Sequence, residues 1–241
     1  MLLNQMASGL CLPERVIQAL AHKASHAYKS YRIPKRTGGT REIHHPSKEL
    51  KALQRWLVHN VIERWPVHPA AMAYRPQVSI LNNAERHVGS RFLLRMDFEG
   101  FFPSITADDV RNFLKNSNSL QQTGWSTDDV ELFTALVCRI GKLTIGAPTS
   151  PALSNALCFE LDQRLETLAH ERNAAYTRYA DDLFFSTNQA NVLKDFPNLV
   201  TTIVTDLSCP SRLIINKLKN HSHRCNKRPK PLLHNYMSMI I

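Results

Sequence analysis

Apolar residues recur at helical spacing early in the chain. Between Pro13 and Tyr28, Val16, Ile17, Leu20 and Ala24 fall on one face and predict a helix. The stretch YRIPKRTGGTREIHHP then changes period. Two short extended pieces flank a turn at Gly38-Gly39, and Pro46 closes the second. From Leu50 to Trp65, the residues Leu53, Trp56, Leu57, Asn60, Val61 and Arg64 step round at helical intervals, predicting an amphipathic helix that Pro66 ends. Arg91 to Met96 is a β-prone run with Asp97 immediately beyond it, followed by turn signals at Gly100 and Pro103.

Thr106-Ala-Asp-Asp109 resembles a capping box and opens a helix through Leu114, and Thr127-Asp-Asp-Val-Glu131 opens another through Ile140. Leu143 to Pro151 reads as a loop, Ala152 to His170 as one long helix, and Tyr176 to Ser186 as strand, turn and strand. Helices and strands alternate irregularly, with hairpin signals between them. That pattern predicts an α+β fold with an antiparallel sheet rather than a doubly wound parallel one.

Composition narrows the function classes. The chain has 241 residues, 43% of them hydrophobic, which is enough for a substantial core in one large or two small domains. No apolar run approaches the roughly 18–20 residues of a membrane span. The opening MLLNQMASGLCLPER lacks a positive segment followed by a long apolar one. The expectation is a soluble protein of the cytoplasm without a membrane partner. Thirty Lys and Arg against twenty Asp and Glu leave a formal charge of +10, the electrostatic footprint of a phosphate-rich partner. Five scattered cysteines without a C-x-x-C fit reduced thiols. His221-x-His223-x-Cys225 is the nearest approach to a metal cluster and lacks a fourth ligand at the usual spacing.

The chemistry gathers around three carboxylates. Asp97, Asp181 and Asp182 each abut a hydrophobic strand, where an isolated carboxylate is costly to bury. A turn at Asp181-Asp182 is one reading, because Asp is common in turns. The other is a shared site at one sheet edge, where three hard oxygen donors hold one or two Mg²⁺.

The surrounding motifs favour the second. From about Tyr31 to Lys219 the chain resembles the reverse transcriptases, in particular the bacterial retron type. Tyr179-Ala-Asp-Asp182 is similar to the family's catalytic hairpin, and Arg95-Met-Asp97-Phe-Glu-Gly-Phe-Phe102-Pro-Ser-Ile105 to its first metal-binding motif. Gly146-Ala-Pro-Thr-Ser-Pro-Ala-Leu-Ser-Asn155 resembles the segment that contacts template and incoming nucleotide. Asn83-Ala-Glu-Arg-His87 resembles the N-A-x-x-H element of retron enzymes.

The resemblance implies a right-hand polymerase fold: a palm with an antiparallel sheet backed by helices, plus fingers. It implies that Asp97, Asp181 and Asp182 ligate two Mg²⁺ with the Phe98 carbonyl, and that Phe102 screens out ribonucleotides. Lys35 (or its neighbour Arg36) and Arg41 would meet the triphosphate, as cationic groups on a closing hairpin can. Gly146 and Ala147 would contact the nucleotide, and Lys219 in Ile215-Asn216-x-x-Lys219 would protonate departing pyrophosphate. The implied partners are a structured noncoding RNA serving as template and primer, dNTPs, a branched RNA–DNA product, and an effector protein in anti-phage defence. Alternatives are another bacterial lineage, such as a group II intron or abortive-infection type, and a non-catalytic RNA-binding remnant.

Two departures stand out. Ile145 occupies the position where the family usually has glutamine, and the resemblance fades after Lys219, where a further strand and a helical thumb are expected. From Leu207 onward no Asp or Glu appears. The resulting division is an N-terminal helical segment over 1–30, a fingers–palm domain over 31–219, and a basic tail over 220–241 in place of a missing or truncated thumb.

Overall fold

A computed structural model describes residues 1–34, 38–116, 124–219 and 221–224. In chain order its elements are α1 (Leu2–Leu10), α2 (Glu14–Lys23), β1 (Tyr28–Pro34), β2 (Thr40–Pro46), α3 (Lys48–Asn60), α4 (Ile80–Glu85), β3 (Phe92–Asp97) and α5 (Phe101–Ser104). There follow α6 (Ala107–Asn116), α7 (Thr127–Val137), α8 (Thr149–Leu157), α9 (Phe159–Glu171), β4 (Ala175–Tyr179), β5 (Asp182–Thr187), α10 (Phe196–Thr205) and β6 (His221–Arg224). The chain divides into two compact units, one of residues 1–66 and 102–157, the other of residues 67–101 and 158–241. The expected α+β fold is the one observed. Among the described residues, no helix is long and apolar enough to cross a membrane.

The first unit is helical with a two-stranded hairpin. Ser47 caps α3 by accepting from the Leu50 N–H at 3.3 Å, and the helix buries Leu50, Leu53 and Leu57. Gln54 is buried on the same face and donates to both the Leu136 carbonyl and the Tyr28 hydroxyl at 2.8 Å. This ties the helix to α7 and to the start of β1. A capping box at Ser126 and Asp129 opens α7. Antiparallel β1 and β2 pair from Tyr28↔Pro46 to Pro34↔Thr40, joined through the Gly38-Gly39 turn.

The second unit is built on a four-stranded antiparallel sheet in the order β4-β5-β3-β6. Its register sorts side chains by face, since successive residues of a strand point to opposite sides. Tyr176, Arg178 and Phe185 lie toward α9 and α10, where Phe185 meets Phe196 at 5.0 Å between ring centres. Phe185 and Phe196 are fully buried, and burying each stabilises the fold by about 1.5–3 kcal/mol relative to exposure. The opposite face carries Thr177, Phe184, Ser186, Arg95, Asp97 and Asp182.

Several elements depart from the sequence pattern. The helix from Pro13 ends at Lys23, because a single 3₁₀ turn and then β1 take over. The run Ala152–His170 is two helices, broken at Cys158. The helix from Thr127 stops at Val137, short of Ile140, whose φ of 48° is left-handed. A further strand does exist after Lys219. His221–Arg224 pairs with β3 although it reads as polar tail.

Candidate active site

The sequence places a hydrophobic strand before Asp97 and another after Asp182, and the sheet aligns their ends. Asp97 stands directly opposite Asp182 in the β3–β5 register. Like charges placed face to face across a strand pair are destabilising. Asp97 is buried, and the opposition is relieved by two cations. Arg95 donates from both Nε and Nη2 to the two Asp182 oxygens at 2.9 Å, and Lys219 Nζ donates to Asp97 Oδ2 at 2.9 Å. Burial pushes the Asp182 carboxyl above the usual carboxylate range. Arg95 opposes that push, while the charges of Asp181 and Asp97 add to it.

The turn between β4 and β5 has two central residues, Ala180 and Asp181. Ala180 has a φ of 59°, left-handed backbone that glycine usually fills at the first central position of a tight hairpin turn. The strain is held from two sides. The Phe98 N–H donates to the Asp181 carbonyl at 3.0 Å, and Arg178 Nη1 donates to the Ala180 carbonyl at 3.2 Å. Arg178 and its partner Asp162 are both wholly buried, joined by two hydrogen bonds of 2.8 and 2.7 Å, and the Tyr176 hydroxyl donates to the same carboxylate at 2.8 Å.

Lys219 reaches Asp97 through local turn chemistry. Residues 214–216 run beside 97–99, with the Glu99 N–H donating to the Ile214 carbonyl and the Asn216 N–H to the Asp97 carbonyl, each at 2.8 Å. Asn216 Oδ1 then accepts from the Leu218 N–H at 3.2 Å, turning the chain so that Lys219 comes back over β3. This explains the spacing of Ile215-Asn216-x-x-Lys219.

The N-A-x-x-H element has a different place. Asn83 and His87 are buried against the sheet, not at its carboxylate end. The Thr177 hydroxyl donates to Asn83 Oδ1 at 2.6 Å, so it accepts from His87 Nε2, also at 2.6 Å. His87 Nδ1 is left to accept from the Ser186 hydroxyl at 2.8 Å. Burial pulls the His87 imidazole down to about 4, aided by the neighbouring Arg86 charge. His87 is therefore a neutral strut under β4 and β5.

The second unit thus brings together Asp97, Phe98, Asp181, Asp182 and Lys219. The remaining candidates belong to the first unit. Arg41 is exposed on β2 opposite Ile33, and Phe102 is half-buried in α5. Gly146 has a φ of 108°, and a side chain there would meet the His44 carbonyl oxygen at 2.6 Å. The loop is pressed against β2, where the His44 N–H donates to the Ile145 carbonyl at 2.8 Å, and Ala147 is buried behind it. Ile145 thus contributes its backbone to the hairpin contact. Lys35 and Arg36 lie outside the described residues.

The donor set is chemically suited to a hard divalent cation, being all carboxylate with a buried member. Among the described residues no three such groups converge as a ready-made cage. Arg95 and Lys219 instead supply the positive charge that the facing carboxylates require.

An antiparallel sheet with aspartates at one end and helices behind it defines a nucleotide-polymerase palm. The overall fold matches solved telomerases: one from Candida tropicalis with a TM-score of 0.54 at 10% identity, over 90% of this chain and 56% of that one, and one from Candida albicans at 0.56 and 11%, over 83% and 43%. The chain belongs to the reverse transcriptase (RNA-dependent DNA polymerase) family, which it matches over residues 33–229. It is similar to the retron Mx162 reverse transcriptase of Myxococcus xanthus, 43% identical over 69% of this chain and 37% of the relative. It is also similar to the retron Ec86 reverse transcriptase of Escherichia coli, 33% identical over 90% and 65%. The chain spans roughly a third to two thirds of these relatives' length.

Proposed function

We propose that this chain carries the catalytic core of a retron-type RNA-directed DNA polymerase, which copies a structured noncoding RNA into a branched RNA–DNA product. The observation that carries this reading is the register of Asp97 against Asp182 with Asp181 in the adjoining turn. The similarity to retron reverse transcriptases supports the RNA template, and the branched product belongs to the proposed reading. A role in anti-phage defence beside an effector protein belongs to the same reading.

In the reaction a primer hydroxyl attacks the α-phosphorus of a dNTP, a phosphodiester bond forms, and the bond to pyrophosphate breaks. Asp97, Asp181 and Asp182, with the Phe98 carbonyl, are the groups to hold two Mg²⁺, which when bound activate the hydroxyl and neutralise the leaving charge. Arg178 and the Phe98 N–H keep the strained turn in shape, fixing Asp181 relative to Asp97. Lys219 holds a proton on Nζ beside Asp97 and delivers it to the departing pyrophosphate. Arg41 offsets charge on the triphosphate, Phe102 crowds a 2′-hydroxyl, and the Gly146-Ala147 backbone lines the nucleotide.

Primer extension on an RNA template with dNTPs and Mg²⁺ tests this, comparing the chain with Asp181→Ala. Extension by the parent and loss of at least a hundredfold in the variant is the expected result, the scale of a removed transition-state contact. No extension by either protein, with RNA binding retained, overturns it in favour of an RNA-binding remnant.

A further inference from the structure

The two faces of the β1–β2 hairpin carry different charge. On one face Arg32 pairs across the strands with Glu42, and His44 Nε2 lies 4.0 Å from a Glu42 carboxylate oxygen. Positive and negative groups balance there, as on an ordinary solvated surface. The other face places Lys29 directly opposite His45. Beside this pair α3 begins, and the three elements enclose a groove lined by His26, Lys29, His45, Lys48, Lys51 and Arg55. No carboxylate lines it, and among the described residues Lys29, Lys48, Lys51 and Arg55 make no ion pair. The adjacent acid, Glu49, is engaged with its own helix start, its carboxyl held below the usual range by its own backbone N–H and the Ser47 hydroxyl and, least, by the Lys48 charge.

Lys29 and His45 stand opposite one another with no carboxylate beside them to balance the lysine charge. A groove with this lining has the charge complementary to a polyanion. Lys48, Lys51 and Arg55 follow a spacing of three and four residues, so they share one face of α3 along about 10 Å. A nucleic acid strand presents one phosphate about every 3.4 Å of helix axis, so three cations over that length match roughly three consecutive phosphates.

We propose that this groove binds the phosphodiester backbone of RNA without reading its sequence. It lies four residue pairs from Arg41, about 14 Å along the hairpin, and so is separate from the site assigned to the triphosphate. The choice of RNA as occupant rests on the polymerase reading. The groove's affinity for a polyanion does not.

The experiment uses the full chain with Asp181→Asn, so that binding is read without synthesis. A labelled oligouridylate is titrated across a salt series, with and without Lys48→Gln, Lys51→Gln and Arg55→Gln together. Three lost phosphate contacts are expected to lower the slope of log K against log salt by about 2. A control triple at exposed cations elsewhere, Arg15→Gln, Lys23→Gln and Arg172→Gln, leaves the slope within experimental error. Thermal melting checks that both variants fold like the parent. An unchanged slope in the groove variant overturns the proposal, as does an equal change in both triples. So does a loss confined to vesicles of phosphatidylserine and phosphatidylcholine, which assigns the groove to a lipid surface. Because no step involves extension, a failed primer-extension assay leaves this result standing, and the converse also holds.

Discussion

The sheet of the second unit carries two Arg–Asp pairs made by the same chemistry, one on each face. Arg178 and Asp162 are wholly buried, doubly hydrogen-bonded, and joined by Tyr176. Arg95 and Asp182 are doubly hydrogen-bonded too, but their side chains are 25% and 13% exposed, and Asp182 faces a second carboxylate. The first pair is sealed from solvent and supports the Ala180 turn through Arg178 Nη1. The second neutralises a crowded carboxylate that is partly open to solvent. Geometry alone does not separate a structural ion pair from an exchangeable one. Burial and the neighbouring charge do.

The largest expected effect breaks the buried pair. Arg178→Met leaves the Asp162 carboxylate buried with Tyr176 as its remaining hydrogen-bond donor from that network. Removing one partner of such a pair costs about 3–5 kcal/mol. Urea denaturation reads this as a lower midpoint at unchanged slope. The double variant Arg178→Met with Asp162→Leu recovers most of the loss, since apolar replacement of a whole buried pair is often neutral. A loss under about 1 kcal/mol in the single variant contradicts the description of this pair as locked, being the range of exposed pairs.

The His87 strut on the other face gives the next effect, and it depends on pH. Its folded-state value of about 4 lies below the ordinary 6.5, so the unfolded chain takes up a proton first as pH falls. The stability is fully present above pH 6.5, is lost as pH drops toward 4, and levels off below that. The span is about 3 kcal/mol. His87→Gln is expected to flatten this stretch of the stability–pH curve. An equally steep curve in the variant assigns the acid sensitivity to other groups.

How much of this was legible in sequence depends on whether the signal is local. The strand before Asp97 and the hairpin through Asp181-Asp182 stand where their apolar periods put them, and the helix of Leu53 and Leu57 forms as expected but ends at Asn60, with a 3₁₀ turn over Ile62–Arg64 in place of its last turn. The segment FPNLVTTIVT is rich in Val, Ile and Thr, which are common in strands. Yet Pro197 at the first turn and Phe196, Val200 and Val204 at four-residue spacing make it α10. β6 is HSHR, polar throughout, and pairs because β3 offers a free edge. The break at Cys158 leaves no mark, because apolar spacing continues across it. The partners of Asp182, Asp162 and His87 are 87, 16 and 90 or more residues away along the chain or set by register, and no single segment encodes them.

The smallest effect sharpens the comparison at the exposed pair. Arg95→Met removes the charge that offsets Asp182 and leaves Asp97 and Asp181 to push its carboxyl further upward. A partly exposed pair contributes less than a sealed one, so the expected loss is about 1 kcal/mol, or about 2–4 °C in Tm for a chain of this size. The loss is expected without divalent cation and diminishes when Mg²⁺ is added, because a cation held by the carboxylates supplies the missing charge. Arg178→Met, with its carboxylate sealed beneath the sheet, is expected to show no such recovery. Melting curves of both variants with Mg²⁺ and with chelator make the comparison directly. Equal recovery in both would mean that Mg²⁺ stabilises the fold elsewhere. Recovery in neither would mean that the facing aspartates do not share a cation.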